Sequence, residues 1–316
     1  MKASSKEQIY PMEPTLDTVH IDFNSETIWV LNVVLAFVMF GIALDIKMAD
    51  FTQLIKRPKS VLAGIFSQFV LLPFFTFLLV LLIRPQPSIA LGMFLVAACP
   101  GGNISNFISF FAKGNVALSV TLTANASLLA IVMTPLNLGL WGSLYGPTNA
   151  LLKEISVAPS EMLEVVALIL GVPLIAGLWI GKQFPKMASM LARYFKIISL
   201  IFFISLIFIV MFNNRLLIEE YLIYVLWIVL LHNAVAFFTG YSLSRLLGLS
   251  IQDTRSITIE TGIQNSGLGL VLVFTFFDGL GGMAILTAFW GIWHLISGLV
   301  LGTYWAYRPL GKEEVR

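Results

Sequence analysis

One stretch concentrates chemistry in an otherwise apolar surrounding: Ile259-Glu260-Thr261-Gly262-Ile263-Gln264-Asn265-Ser266-Gly267. It lies inside a region, Ser256 to about Phe277, that is long enough to cross a membrane. A carboxylate at that depth costs about 3 kcal/mol to insert, so Glu260 reads as functional. Gln264 and Asn265 follow within about one turn, and Gly262 and Gly267 let the helix loosen and release backbone carbonyls. The stretch offers a cluster of hard oxygens, which suits a small dehydrated cation.

A second stretch has the same character: Cys99-Pro100-Gly101-Gly102-Asn103-Ile104-Ser105-Asn106. Proline removes a backbone donor and the glycines permit unwinding. Taken alone, this is a kinked helix whose Ser and Asn bond to neighbouring helices. Taken together, the two stretches say more. Each has a glycine followed three and four residues later by Ser or Asn oxygens.

The elements that must position these residues are membrane spans. The chain has 316 residues, 58% hydrophobic and only 11% charged. Soluble domains carry about 25% charged residues. The fold class is therefore an all-α integral membrane protein. Nine apolar spans of roughly 20 residues are expected, at 27–46, 58–82, 88–111, 115–141, 160–181, 194–212, 219–245, 256–277 and 281–306. Residues 1–26 read as an exposed tail with no signal-peptide pattern, and 307–316 as a cytoplasmic tail. Most of the 19 basic residues, Lys56, Arg57, Lys59, Lys113, Lys182, Lys186 and Arg255 among them, fall on one side of this arrangement. That side is expected to be cytoplasmic, with the N-terminus outside and the C-terminus inside.

The two polar stretches sit on spans three and eight. These are five spans apart, hence antiparallel, as in an inverted repeat whose broken helices meet at mid-membrane. The net charge of +2 implies no nucleic-acid partner. The single cysteine, Cys99, excludes an internal disulfide or a multi-cysteine metal site. Three histidines, none of them in either stretch, argue against a zinc or nucleophilic enzyme. Two unlike motifs in one chain argue against a channel lined by rings of like residues. No cofactor and no obligate protein partner are expected; the lipid bilayer is the surrounding medium. A proton-coupled carrier using Glu260 as its proton site is an alternative to a sodium-coupled one.

The motifs Pro-Gly-Gly-Asn-x-Ser-Asn (100–106), Lys-Gly-Asn-x-x-Leu-Ser (113–119) and Glu-Thr-Gly-x-Gln-Asn (260–265) resemble those of the bile acid:sodium symporter family. Gln68, Leu-His-Asn at 231–233 and Trp-His at 293–294 match as well. The resemblance implies a ten-span pattern lacking its first span. It also implies a panel domain (27–46 and 160–212) and a core domain (58–141 and 219–306). One sodium ion is implied among Ser105, Asn106, Ser119, Thr123 and Glu260. A second is implied among Gln68, Glu260, Gln264 and the carbonyls of Thr261 and Ile263. Asn103, Asn265 and His294 are expected to meet an organic anion such as a bile acid, a steroid conjugate or a small carboxylate. His294 is followed by Leu295, where the family often has a polar residue. His232 reads as a packed, hydrogen-bonded residue.

Overall fold

The computed structural model describes residues 16–21, 25–45, 56–102, 104–155, 163–164, 166–213 and 215–308. The described residues are mostly helical, joined by turns and short irregular segments, with only isolated β-bridges between them. The chain is a multi-pass membrane protein, and its helices follow the nine apolar segments.

The order begins with α1 (Ser25–Asp45) and α2 (Pro58–Ile83), which contains a π turn at Ser67–Leu71. The third span is split into α3 (Pro87–Ala98) and α4 (Ile104–Phe111). Next come α5 (Val116–Leu144), the short α6 (Gly146–Glu154), and a π turn at Ala167–Gly171 leading into α7 (Val172–Gln183). Then follow α8 (Pro185–Asn213) and α9 (Arg215–Leu246). The eighth span is split into α10 (Ile251–Gly262) and α11 (Ser266–Phe276), and α12 (Gly281–Tyr307) closes the chain. Among the described residues, α2, α5, α12 and the 219–246 part of α9 are long and apolar enough to cross a membrane unbroken. Large apolar side chains such as Trp29, Trp179, Trp227 and Phe238 stand exposed, as lipid-facing residues do.

Packing sorts the helices. α1 packs chiefly on α7 and α8. α3 lies against α5 and α12, and α10 lies against α9, α5 and α4. The helix α3 is buried from Ser88 to Ala98. Its contact with α12 depends on small residues: a Cβ on Gly282 would overlap the Ser88 side chain, and one on Gly92 would lie 3.1 Å from the Met283 Cα. Such close backbone approach is how membrane helices associate without a hydrophobic driving force between them.

Two expectations change. The sixth span starts earlier than 194: α8 runs from Pro185 and takes Lys186 and Arg193 into its first turns. The exposed tail expected over 1–26 does not hold for residues 16–21, where Leu16 and Ile21 are buried. The Ile21 amide donates to the Gly279 carbonyl at 2.8 Å, and the Gly281 amide donates to the Val19 carbonyl at 2.7 Å. Asp17 accepts from the Ser88 amide at 2.7 Å, at the start of α3. These bonds satisfy helix-start and loop amides, a need that apolar periodicity does not reveal.

Candidate functional site

The two broken spans cross at their breaks. The Gly102 amide donates to the Ile263 carbonyl at 2.8 Å, and the Asn265 amide donates to the Pro100 carbonyl at 2.9 Å. Gly101 and Gln264 therefore face one another as an isolated antiparallel pair. Each break satisfies the backbone that the other exposes, which is what allows irregular backbone at membrane depth. Side chains then restart the helices. Asn265 caps α11 by accepting from the Leu268 amide at 3.0 Å, and Asn115 caps α5 by accepting from the Leu118 amide at 3.1 Å.

On one side of the crossing Glu260 gathers hydroxyls. Ser105 Oγ donates to Oε2 at 2.5 Å, Thr123 Oγ1 to Oε1 at 2.7 Å, and Ser119 Oγ lies 3.4 Å from Oε2. Asn106 Oδ1 completes the ring, 2.8 Å from Ser119 Oγ and 3.2 Å from Thr123 Oγ1. Helix geometry explains the convergence. Ser119 and Thr123 are four apart on α5 and share a face, while Ser105 and Asn106 open α4 just past the break. The cluster has six side-chain oxygens (two from Glu260, one each from Ser105, Asn106, Ser119 and Thr123) and only three hydroxyl protons to share among them. Such a surplus of acceptors at membrane depth can be met by a cation, for which an all-oxygen set suits a hard one, or by a proton on the carboxylate.

On the other side Gln68 meets Gln264. Gln68 Nε2 donates to Gln264 Oε1 and to the Cys99 carbonyl, both at 2.8 Å. Gln264 Nε2 donates to the Thr261 carbonyl at 2.6 Å. The π turn in α2 carries Gln68, an irregularity frequent at functional sites. The Ile263 carbonyl belongs to the same neighbourhood but already accepts from Gly102. The hydrogen bonds of Glu260 all run to the first cluster.

The remaining sequence candidates are more dispersed. Asn103 lies outside the described residues. Asn265 is partly exposed beside the crossing. His294 is buried on α12, with no partner for Nδ1 among the described residues. His232 bonds Thr76 Oγ1 through Nε2 at 2.7 Å and lies edge-on to Trp290.

Sequence reasoning missed Asp253, which anchors the foot of α10. It is buried and accepts from Ser60 Oγ at 2.7 Å, Asn115 Nδ2 at 2.7 Å and Arg57 at 3.3 Å. Ser256, three residues on, donates to the Asn115 carbonyl at 2.9 Å. Asp253, Ser256 and Glu260 thus form a polar ladder along the α5–α10 contact. The i, i+3, i+7 spacing of these polar residues was the available signal.

The sequence pattern of the Sodium Bile acid symporter family matches residues 32–220. The chain is 32% identical to the Bacillus subtilis protein named uncharacterized sodium-dependent transporter YocS, over 90% of this chain and 85% of that one. It is also 32% identical to the probable chloroplastic sodium/metabolite cotransporter BASS1 of Arabidopsis thaliana, over 86% of this chain and 65% of that one. With the human ileal sodium/bile acid cotransporter it shares 28% identity over 90% of this chain and 81% of that one. On the breadth of these matches and on the motifs at its crossing, the chain belongs to the sodium bile acid symporter family.

Proposed function

We propose that the protein is a symporter that moves an organic anion across the membrane with about two sodium ions. The observation that carries this reading is the proton-poor ring of oxygens around Glu260. Sodium site one is Ser105, Asn106, Ser119, Thr123 and Glu260. Sodium site two is Gln68, Gln264, the carbonyls of Thr261 and Ile263, and Glu260 through its charge. One carboxylate against two cations leaves a net positive crossing, which favours an anionic substrate beside it. Asn265, at the restart of α11, is a polar contact for that anion, with His294 further along α12; the sequence motif adds Asn103, which lies outside the described residues. The substrate class is a bile acid, a steroid conjugate or a small carboxylate.

Alternating access supplies the cycle. The helices α1, α7 and α8 act as the panel, and the crossing moves with the remaining helices as the core. The N-terminus lies outside and the C-terminus in the cytoplasm, in keeping with the distribution of basic residues. Because linkage is reciprocal, sodium and substrate raise each other's affinity by the same factor. For a tenfold sodium gradient two ions supply ~2.8 kcal/mol. One net charge moving through 100 mV adds ~2.3 kcal/mol. Together these support accumulation of about 10³- to 10⁴-fold.

The deciding experiment is uptake of labelled organic anions into proteoliposomes by the wild type and by Glu260→Ala, in Na⁺ and in K⁺. Sodium-dependent uptake that Glu260→Ala abolishes, with the variant still inserted, supports the reading. Wild-type uptake driven by a pH gradient with Na⁺ absent would instead make Glu260 a proton site.

A further inference from the structure

The second sodium site proposed above uses two backbone carbonyls, those of Thr261 and Ile263, with that of Gly262 between them in the chain. Helix α10 ends here, and Ile263 adopts an extended conformation (φ −105°, ψ 101°). An unwound segment of this kind has no helical hydrogen bonds to fix where its carbonyls point. Each of the three carbonyls has a separate partner. Thr261 accepts from Gln264 Nε2 at 2.6 Å and Ile263 from the Gly102 amide at 2.8 Å. Gly262 accepts from Asn233 Nδ2 at 2.8 Å.

Asn233 lies on α9 and is 1% exposed. Its own carbonyl is held in turn: Ser297 Oγ, on α12, donates to Asn233 Oδ1 at 2.6 Å. That bond fixes the amide's orientation, leaving Nδ2 toward Gly262. A chain Ser297, Asn233, Gly262 thus reaches from two flanking helices to the middle of the broken one.

The inverted repeat supplies an independent check. Gly101 and Gln264 pair at the crossing, so they mark equivalent points of the two halves. Counting back two residues from each gives Cys99 and Gly262. The Cys99 carbonyl accepts from Gln68 on α2, at 2.8 Å, just as the Gly262 carbonyl accepts from Asn233 on α9. Spans two and seven are repeat partners, so Asn233 is the structural counterpart of Gln68. Thr134 on α5 donates to the neighbouring Ala98 carbonyl at 2.8 Å, and Ser297 stands on the partner span nine. Both broken spans are therefore braced by an amide side chain from the equivalent flanking helix, Gln68 on one and Asn233 on the other; a hydroxyl from the next helix supports each, Thr134 by bonding the span directly and Ser297 by bonding Asn233.

We propose that Asn233, seated by Ser297, is a positioning residue of the second sodium site. It holds the Gly262 carbonyl away from the ion, and so directs the Thr261 and Ile263 carbonyls toward it. The inference rests on the sodium-site assignment above.

The test is sodium binding alone, by calorimetry or ²²Na⁺ equilibrium binding on purified protein, for wild type, Asn233→Leu, Ser297→Ala and Thr123→Val. Leu keeps the volume of Asn233 and removes the donor. With the donor gone the Gly262 carbonyl is free to turn and the Thr261 and Ile263 carbonyls lose their fixed direction, so one of two binding steps should weaken about tenfold or more in Asn233→Leu. Ser297→Ala should weaken the same step less, and it serves if Asn233→Leu fails to fold. Thr123→Val should weaken the other step. Two unchanged binding steps in the Asn233 and Ser297 variants, even with lower thermal stability in Na⁺ and K⁺ alike, would reduce the pair to a packing role and overturn the proposal. No saturable Na⁺ binding by the wild type would overturn the sodium sites themselves, a distinct outcome.

Discussion

Gly101 lies so close to the Glu260 carboxylate that a Cβ on Gly101 would overlap Oε1. The crossing pair and the Glu260 carboxylate therefore compete for one volume, and only glycine satisfies both. Gly101→Ala should push Glu260 off the hydroxyls of Ser105 and Thr123. Half-saturating Na⁺ in an uptake assay is expected to rise at least tenfold, since displacing a buried charged group from its hydrogen bonds costs about 1.5–3 kcal/mol. The comparison is Gly146→Ala, at the start of α6, where no atom lies within 4 Å of a new Cβ. That variant should transport normally. Equal behaviour of the two would show that the Gly101 contact does not constrain the site.

Thr123 tests the hydroxyl half of the ring. Its Oγ1 lies 2.7 Å from Glu260 Oε1 and 3.2 Å from Asn106 Oδ1. Thr123→Val keeps the shape and deletes the oxygen, leaving the carboxylate short of a partner. Half-saturating Na⁺ should rise roughly tenfold, a loss of about 1.4 kcal/mol, while Thr123→Ser should stay within about threefold of wild type. Ser119→Ala should be milder than Thr123→Val, because its oxygen is 3.4 Å from the carboxylate. A Val variant as good as the Ser variant would remove Thr123 from the site.

Sequence alone carried much of this arrangement. The apolar spans were legible because lipid admits so few charges, and the breaks at Pro100 and Gly262 were legible because those residues weaken a helix. Glu260 announced itself by depth. Gln68 did not: its position depends on a π turn at Ser67–Leu71, which no local pattern encodes, and only the family resemblance named it. Ser297 and Asp253 were missed, and Asn233 was named only as part of a family motif with no role, for a related reason. Each is an ordinary polar residue whose meaning comes from a partner 29 to 196 positions away. The sequence shows that such a residue is polar, but the tertiary contact decides what it holds.

The segment 16–21 makes a prediction about stability rather than transport. Leu16 is fully buried, and Asp17 accepts from the Ser88 amide at the start of α3. Leu16→Ala should cost about 2–5 kcal/mol if the cavity does not collapse. Asp17→Ala should cost about 1 kcal/mol, as loss of a helix cap does. Both should lower the thermal midpoint in detergent, Leu16→Ala more. Neither residue touches the crossing, so half-saturating Na⁺ should not move. A Na⁺ shift without loss of stability would mean that this segment acts on the site rather than on the packing of α3.

Gln68 offers the sharpest separation of the two sodium sites. Its Nε2 joins the Cys99 carbonyl of one broken span to the Gln264 side chain of the other, both at 2.8 Å. Gln264 Nε2 also lies 3.3 Å from Gln68 Oε1, so the two amides face each other across the place assigned to the second ion. Gln68→Leu removes one proposed oxygen ligand and one brace but should leave the ring around Glu260 intact, since among the described residues no hydrogen bond joins Gln68 to that ring. Uptake by the variant should therefore lose its cooperative dependence on Na⁺, the Hill slope falling from about two toward one, as expected when one of two coupled sites is lost. Sodium binding at the remaining site should persist, with its midpoint raised by the coupling that is lost, and stay sensitive to Thr123→Val. A slope near two in Gln68→Leu would assign the second ion elsewhere. A complete loss of Na⁺ binding would mean that the two sites form one indivisible cluster rather than two that share a single carboxylate.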